Sequence, residues 1–127
     1  MFTSCGTESN STAILSAIKA QPNRKEIITT TVEHPAILSL CEALEKEGYT
    51  IHRMPVDRCG RLNLEAYRKL LSDQVAIVSV MWANNETGTI FPVVEMAEMA
   101  NAAGVMFHTD AVQAVGKIPM MLQDTKN

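Results

Sequence analysis

The stretch that decides the fold is VAIVSVMWANNETG, which runs from Val75 to Gly88. Its residues as far as Trp82 are almost all apolar, a pattern typical of a parallel strand that is buried on both faces. Two amides, Asn84 and Asn85, and a carboxylate follow directly. One amide would be enough to satisfy the backbone there. A second amide and an acid at the same place favour a polar ligand at the strand end.

Outward from this strand, segments with a strand pattern alternate with segments of helical periodicity. This alternation predicts an α/β fold with a mostly parallel sheet and helices on both faces. We expect both ends of the chain to be truncated, because Phe2 and Thr3 look like the end of a cut strand and the tail 123–127 lacks a closing element. The predicted strands are residues 27–32, 50–54, 75–82 and 105–108, and the predicted helices cover about 8–20, 35–48, 63–71 and 92–104.

Composition narrows the class of protein. The chain has 127 residues, enough for one domain, and a formal net charge of −3, which argues against nucleic acid as a partner. The longest apolar run, from Val75 to Ala83, is too short to cross a membrane, and the start has no signal-peptide pattern, so we expect a cytoplasmic protein. Three cysteines, an odd number without C-x-x-C spacing, argue against a disulfide framework and against a zinc site.

Small or polar side chains follow four of the predicted strands, at residues 4–7, 33–34, 84–86 and 108–110. In parallel sheets, ligands bind at these carboxyl ends. The turn before the first helix contains Gly6 and Thr7, which suit a phosphate at a helix N-terminus. Taken alone, this turn is better explained as an ordinary capped helix, because small polar turns are common. His34 follows its strand and either caps the next helix or faces a planar ligand and moves a proton.

Asp110 follows the last predicted strand. An aspartate there can keep a pyridine nitrogen protonated, and Gln113 would face the same side in a helical turn. A metal site is the competing interpretation, because His108 and Asp110 lie two residues apart on one strand and share a face. No further cluster of metal-ligating residues supports it, so we predict no metal.

Together, the four motifs resemble the NifS/IscS-type cysteine desulfurases, which belong to the class V aminotransferase group of fold-type I pyridoxal-phosphate (PLP) enzymes. The resemblance runs in order along the chain and is closest to the nitrogen-fixation NifS branch. It implies that residues 1–127 are part of the PLP-binding large domain, without the small C-terminal domain. The motifs that carry it are residues 2–9, 32–34, 82–88 and 107–117.

The resemblance also implies a role for individual residues. Gly6 and Thr7 would bind the PLP phosphate, and His34 would stack on the pyridine ring and assist proton transfer as the catalytic residue. Asp110 would pair with the ring nitrogen. Gln113 would hydrogen-bond the phenolic oxygen, while Asn85, rather than Asn84, would contact the cofactor near that oxygen or the substrate, and His108 and Lys117 would lie behind these contacts.

The full-length enzyme would convert L-cysteine to L-alanine and pass sulfur to an iron–sulfur scaffold protein, for nitrogenase, as a homodimer. The lysine that binds PLP covalently and the sulfur-accepting cysteine would lie downstream of Asn127, so we expect the isolated chain to be inactive. Three alternatives remain. One is another class V PLP enzyme, such as a selenocysteine lyase or an aminotransferase, and a second is a non-catalytic α/β domain. A metal hydrolase that uses His108 and Asp110 is a third.

Overall fold

The computed structural model describes residues 2–120 and contains a four-stranded, fully parallel sheet with the strand order β2-β1-β3-β4. The predicted fold class is confirmed. The tail at 123–127, on which part of the expected truncation rests, lies outside the described residues. The helices are α1 (Gly6–Ala20), α2 (Pro35–Lys46), α3 (Leu64–Leu70) and α4 (Val93–Ala102), and the strands are β1 (Glu26–Thr30), β2 (Thr50–Met54), β3 (Val75–Ser79) and β4 (Met106–His108).

The order of the strands explains why helices cover both faces. The chain moves from β1 to β2 in one direction and then returns past β1 to β3 and on to β4. Because crossovers between parallel strands are right-handed, this reversal places α2 on one face of the sheet and α3 and α4 on the other. One core packs Ile27 and Ile77 against α1 and α2, and the other packs Ile28 and Val78 against α3 and α4. The reversal falls between β1 and β3, where open α/β sheets bind ligands.

Strands β1 and β3 end earlier than predicted, and the buried carboxylate of Glu33 lies at the point where they end, while β4 begins one residue later than predicted. Beyond Ser79, the backbone N–H of Val80 donates to the carbonyl of His108 at the end of β4, and that of Trp82 donates to the carbonyl of Asp110 just after it. The N–H of Met81, in contrast, donates to the carboxylate of Glu33, at 3.1 Å to each oxygen. The side chain thus takes the place of a strand neighbour, and regular pairing between β1 and β3 ends there.

Phe2 and Thr3, predicted as the end of a cut strand, form no strand within the described residues, and the truncation itself stays a prediction. Neither residue pairs with a strand, and the Thr3 hydroxyl donates to the carbonyl of Cys5 at 3.2 Å, which leads the chain into α1. A two-residue strand needs a neighbour that supplies backbone partners, and none lies beside it in residues 2–120. Helix α1 also begins two residues before the predicted start.

Gly60 provides a test of how closely two loops pack. Its φ is +77°, and an added Cβ would lie 2.6 Å from the hydroxyl oxygen of Thr89. Gly104 has a similar φ of +67° but open space around the Cβ position. We expect Gly60→Ala to lower the free energy of unfolding by roughly 2–4 kcal/mol and Gly104→Ala by only about 1 kcal/mol, because only the first adds a clash to the backbone strain. Denaturant unfolding measures both, and equal losses would contradict the close approach.

Candidate functional site

A cavity of about 300 Å³ opens at the carboxyl ends of β1, β3 and β4, beside the start of α1. This is within the range of small-molecule sites, roughly 300–1,000 Å³. The structure brings all six residues to which the resemblance assigned a cofactor contact to this one cavity, although they come from four separate segments, whereas the acid Glu86 of the opening stretch does not line it. Those residues are Gly6, Thr7, His34, Asn85, Asp110 and Gln113.

The start of α1 forms one end of the cavity and is suited to an anion. Its N-cap residue, Cys5, makes no side-chain capping bond, so first-turn N–H groups remain available. The backbone N–H of Glu8 and then the Ser4 hydroxyl lower the pKa of the Cys5 thiol, which is the direction expected beside a helix N-terminus. A Cβ on Gly6 would lie 3.2 Å from a methyl group of Val112, so a larger residue would crowd the turn.

Asp110 forms the opposite end, and its carboxylate is held by two donors. Val112 donates its backbone N–H to Oδ1 at 3.1 Å, and Asn10 donates its side-chain N–H to Oδ2 at 2.9 Å. Asn10 also lines the cavity, and the sequence did not single it out. The available signal was its place on the buried stripe of α1, where a polar residue precedes Ile14 and Ala17 at helical spacing.

His34 caps a helix and also lines the cavity. Its Nδ1 accepts the backbone N–H of Ala36 at 3.2 Å and so caps α2. The same exposed ring lines the cavity. Because Nδ1 acts as an acceptor, the ring hydrogen of the neutral imidazole is on Nε2, and this nitrogen remains free for a ligand.

The adjacent amides Asn84 and Asn85 are used differently. Asn84 is buried, its Oδ1 accepts the backbone N–H groups of Glu86 and Thr87 at 2.8 and 3.0 Å, and its Nδ2 donates to the carbonyl of Val32. Its side chain is therefore engaged in holding the loop. Asn85 is exposed and lines the cavity. Of the two, Asn85 is the residue placed to contact a ligand.

Gln113 is oriented by a neighbouring cation. Lys117 Nζ donates to Gln113 Oε1 at 2.6 Å. With its oxygen occupied in this way, the Gln113 amide nitrogen is the group left to donate toward the cavity. Lys117 thus lies behind Gln113 rather than in the cavity lining.

Glu33 was recognised in the sequence only as a neighbour of His34, yet it is the buried acid of this region. It is 4% exposed, and besides the N–H of Met81 it accepts the Thr30 hydroxyl at 2.7 Å. Burial raises its pKa to about 7, and the nearby negative charge of Asp110 adds to the increase, whereas the hydrogen bonds from Thr30 and Met81 oppose it.

His108 is held by the sheet. Its Nδ1 lies 3.0 Å from the Ser79 hydroxyl, and burial lowers the pKa of the ring.

Within residues 2–120, no group of three or more His, Cys, Asp or Glu side chains is arranged to hold a metal ion. Across the same residues, no helix has the length and apolar character needed to cross a bilayer.

A parallel sheet here directs a helix N-terminus, a held aspartate and side-chain amides into one cavity, at the place where open α/β sheets bind ligands. The family model described as Aminotransferase class-V matches residues 1–127, and the chain belongs to this family. The resemblance inferred from the motifs is thereby confirmed.

Individual relatives support the same assignment. The chain is 70% identical over 125 residues to "Cysteine desulfurase NifS" of Azotobacter vinelandii. The aligned region covers 98% of this chain and 31% of that protein. It is 62% identical over 127 residues to a cysteine desulfurase of Cereibacter sphaeroides, 33% of which is covered. A solved structure described as a NifS-like protein superposes with a TM-score of 0.91 at 36% identity, over 98% of this chain and 35% of that one. The chain thus spans about a third of the length of these relatives.

Proposed function

We propose that the chain forms part of the cofactor-binding domain of a PLP-dependent cysteine desulfurase of the NifS branch. The observation that carries the proposal is the convergence of Gly6, Thr7, His34, Asn85, Asp110 and Gln113 on one cavity. The 70% identity to a relative named cysteine desulfurase NifS supports both the activity and the branch. The full-length protein would take sulfur from L-cysteine for iron–sulfur cluster assembly, with nitrogenase as the final recipient.

The cavity residues fit PLP at each end of the molecule. The phosphate matches the start of α1, where Gly6 leaves no Cβ to crowd the turn and the Thr7 hydroxyl adds a donor. The ring nitrogen matches Asp110, whose two oxygens are each held by one donor and keep lone pairs for another. The phenolic oxygen matches the free amide nitrogen of Gln113, with Asn85 beside it.

When bound, PLP supplies an electron sink that weakens bonds next to the amino group of an amino acid. Asp110 would hold a proton at the ring nitrogen, which strengthens that sink. Gln113 and Asn85 would fix the ring plane by donating hydrogen bonds. His34 would cover one ring face, and its free Nε2 would carry a proton to or from the substrate.

The overall reaction needs one further group, a cysteine thiol that accepts sulfur. L-cysteine and an enzyme thiol would give L-alanine and an enzyme persulfide, and the persulfide would pass its outer sulfur to a scaffold protein. Cys41 is unsuited to this role, because it is buried and burial raises the pKa of its thiol to about 11. We assign the acceptor cysteine and the PLP-binding lysine to the part of the protein beyond these 127 residues. The homodimer and the cytoplasmic location remain predictions.

We expect the full-length protein, reconstituted with PLP and supplied with L-cysteine and a thiol reductant, to release alanine and sulfide in equal amounts. Amino-acid analysis and a sulfide assay measure the two products. The 127-residue chain alone should release neither, because it lacks the sequence context of the covalent anchor and the acceptor.

Four outcomes would contradict the proposal or one of its parts. A full-length protein that does not bind PLP would remove the cofactor. Transfer of the amino group to a keto acid, without sulfide, would favour an aminotransferase. Activity restricted to L-selenocysteine would favour a selenocysteine lyase. Turnover by the isolated chain would refute the assignment of the catalytic lysine and cysteine to other parts of the protein.

A further inference from the structure

The carboxylate of Asp110 depends on a residue that is distant in sequence. Asn10 lies 100 positions earlier, and its side-chain N–H donates to Asp110 Oδ2 at 2.9 Å. The other oxygen accepts the backbone N–H of Val112 at 3.1 Å. Since both partners are donors, they complement a negatively charged carboxylate and fix its plane.

Packing alone does not explain an asparagine at position 10. Asn10 is 7% exposed and heads the buried stripe of α1, where the other buried residues are Ile14, Ala17 and Ile18. An amide in such a place costs free energy unless it is hydrogen-bonded, and an apolar residue would fill the space without that cost. Its bond to Asp110 is therefore the reason for the residue type.

Helix α1 connects the two ends of the cavity through this bond. Gly6 and Thr7 lie in its first turn, and Asn10 lies one turn further on. Four residues of helix rise about 6 Å, and the backbone between them is rigid. The same helix therefore sets both the anion-binding turn and the position of the carboxylate at the opposite end.

We infer that Asn10 is a positioning residue, which aligns Asp110 with the ring nitrogen of PLP and couples that contact to the phosphate-binding turn. The inference rests on the proposed function. Asn10 does not touch the reacting atoms in this scheme and acts only through Asp110.

The test compares PLP affinity in variants of the full-length protein. Asn10→Leu keeps the size of the side chain and removes the donor, and the PLP dissociation constant should rise roughly tenfold to a hundredfold. Asn10→Asp replaces the donor with a second carboxylate beside Asp110 and should weaken binding further. Equilibrium dialysis of the apo protein against PLP measures both without an activity assay.

Gln21→Leu is the matched control. The Gln21 amide also joins α1 to the sheet, by donating to the carbonyl of Ala76 at 2.9 Å, but it lies at the other end of the helix. We expect this variant to lose thermal stability comparably to Asn10→Leu and to keep wild-type PLP affinity. In an Asp110→Asn background, Asn10→Leu should cause no further loss, because a residue that acts through Asp110 has nothing left to position.

The outcomes separate this inference from the proposed function. If the wild-type protein binds no PLP, the proposed function fails and the inference fails with it. If the wild type binds PLP and Asn10→Leu binds it equally well, only the inference is overturned. It is also overturned if the losses from Asn10→Leu and Asp110→Asn simply add, or if neither Asn10 variant folds, since Asn10 would then serve the fold alone.

Discussion

Asp110→Ala in the full-length protein is expected to lower the turnover of L-cysteine by at least roughly a hundredfold to a thousandfold, the size of effect seen when one preorganised electrostatic contact is removed. The carboxylate is the only acidic side chain that lines the cavity in the described part of the chain. Without it, nothing there would hold a proton at the ring nitrogen, and the cofactor would be a weaker electron sink. Steady-state kinetics with L-cysteine measure the loss, which should fall mainly on kcat.

Asp57→Ala provides the control for this substitution. The Asp57 carboxylate also accepts two backbone N–H groups, from Cys59 and Arg61 at 2.8 and 2.9 Å, but in a surface turn outside the cavity. Its loss should reduce stability slightly and leave turnover unchanged. If Asp110→Ala retains near-normal turnover, or if Asp57→Ala impairs turnover equally, Asp110 has no role at the ring.

The second large effect concerns the buried Glu33, whose pKa is raised to about 7 from an ordinary value of 4.5. The folded protein therefore binds this proton more tightly than the unfolded chain does. The contribution of Glu33 to the free energy of unfolding is fully present below about pH 4.5 and is lost as the pH rises through about 7. Over that window the free energy of unfolding should fall by roughly 3 kcal/mol, since each pKa unit corresponds to about 1.4 kcal/mol.

Glu33→Gln should remove this dependence. Its side-chain oxygen can still accept from Met81 and Thr30, and the amide stays neutral at all pH values. Relative to the wild type, the variant should gain roughly 2–3 kcal/mol between pH 5 and pH 8. Denaturant unfolding of both proteins at the two pH values measures the difference. If the free energies of unfolding of the two proteins change with pH by the same amount, the Glu33 carboxyl group ionises in the folded protein without a loss of stability.

The sequence was sufficient to predict the fold and to predict that the cavity residues lie at one edge of the sheet. Continuous apolar strands such as Val75–Ser79 occur in parallel sheets, and the carboxyl ends of parallel strands share one edge. Polar residues that follow different strands therefore had to meet at that edge. The boundaries at Gly48 and Asn63 were also predictable, because a glycine with positive φ and an asparagine cap leave local signals.

The residues that sequence reasoning missed depend on distant partners. Asn10 is recognisable as a positioning candidate only once Asp110 lies beside it. Glu33 and His34 are adjacent and both polar, and only the tertiary structure shows that Glu33 turns inward to Met81 while His34 caps a helix. The early end of β3 has the same origin, because a side chain replaces a strand partner that local patterns cannot reveal.

The buried amide of Asn84 has a consequence for measuring motion. Its Oδ1 accepts two backbone N–H groups of the loop that also presents Asn85 to the cavity, and its Nδ2 group, which carries two hydrogens, donates to the Val32 carbonyl in another segment. Exchange of these hydrogens with solvent deuterium requires the loop to open. The exchange rate of the Asn84 side-chain amide, followed by its NMR resonance, therefore reports how often the loop beside the cavity opens. The measurement needs no label on the ligand.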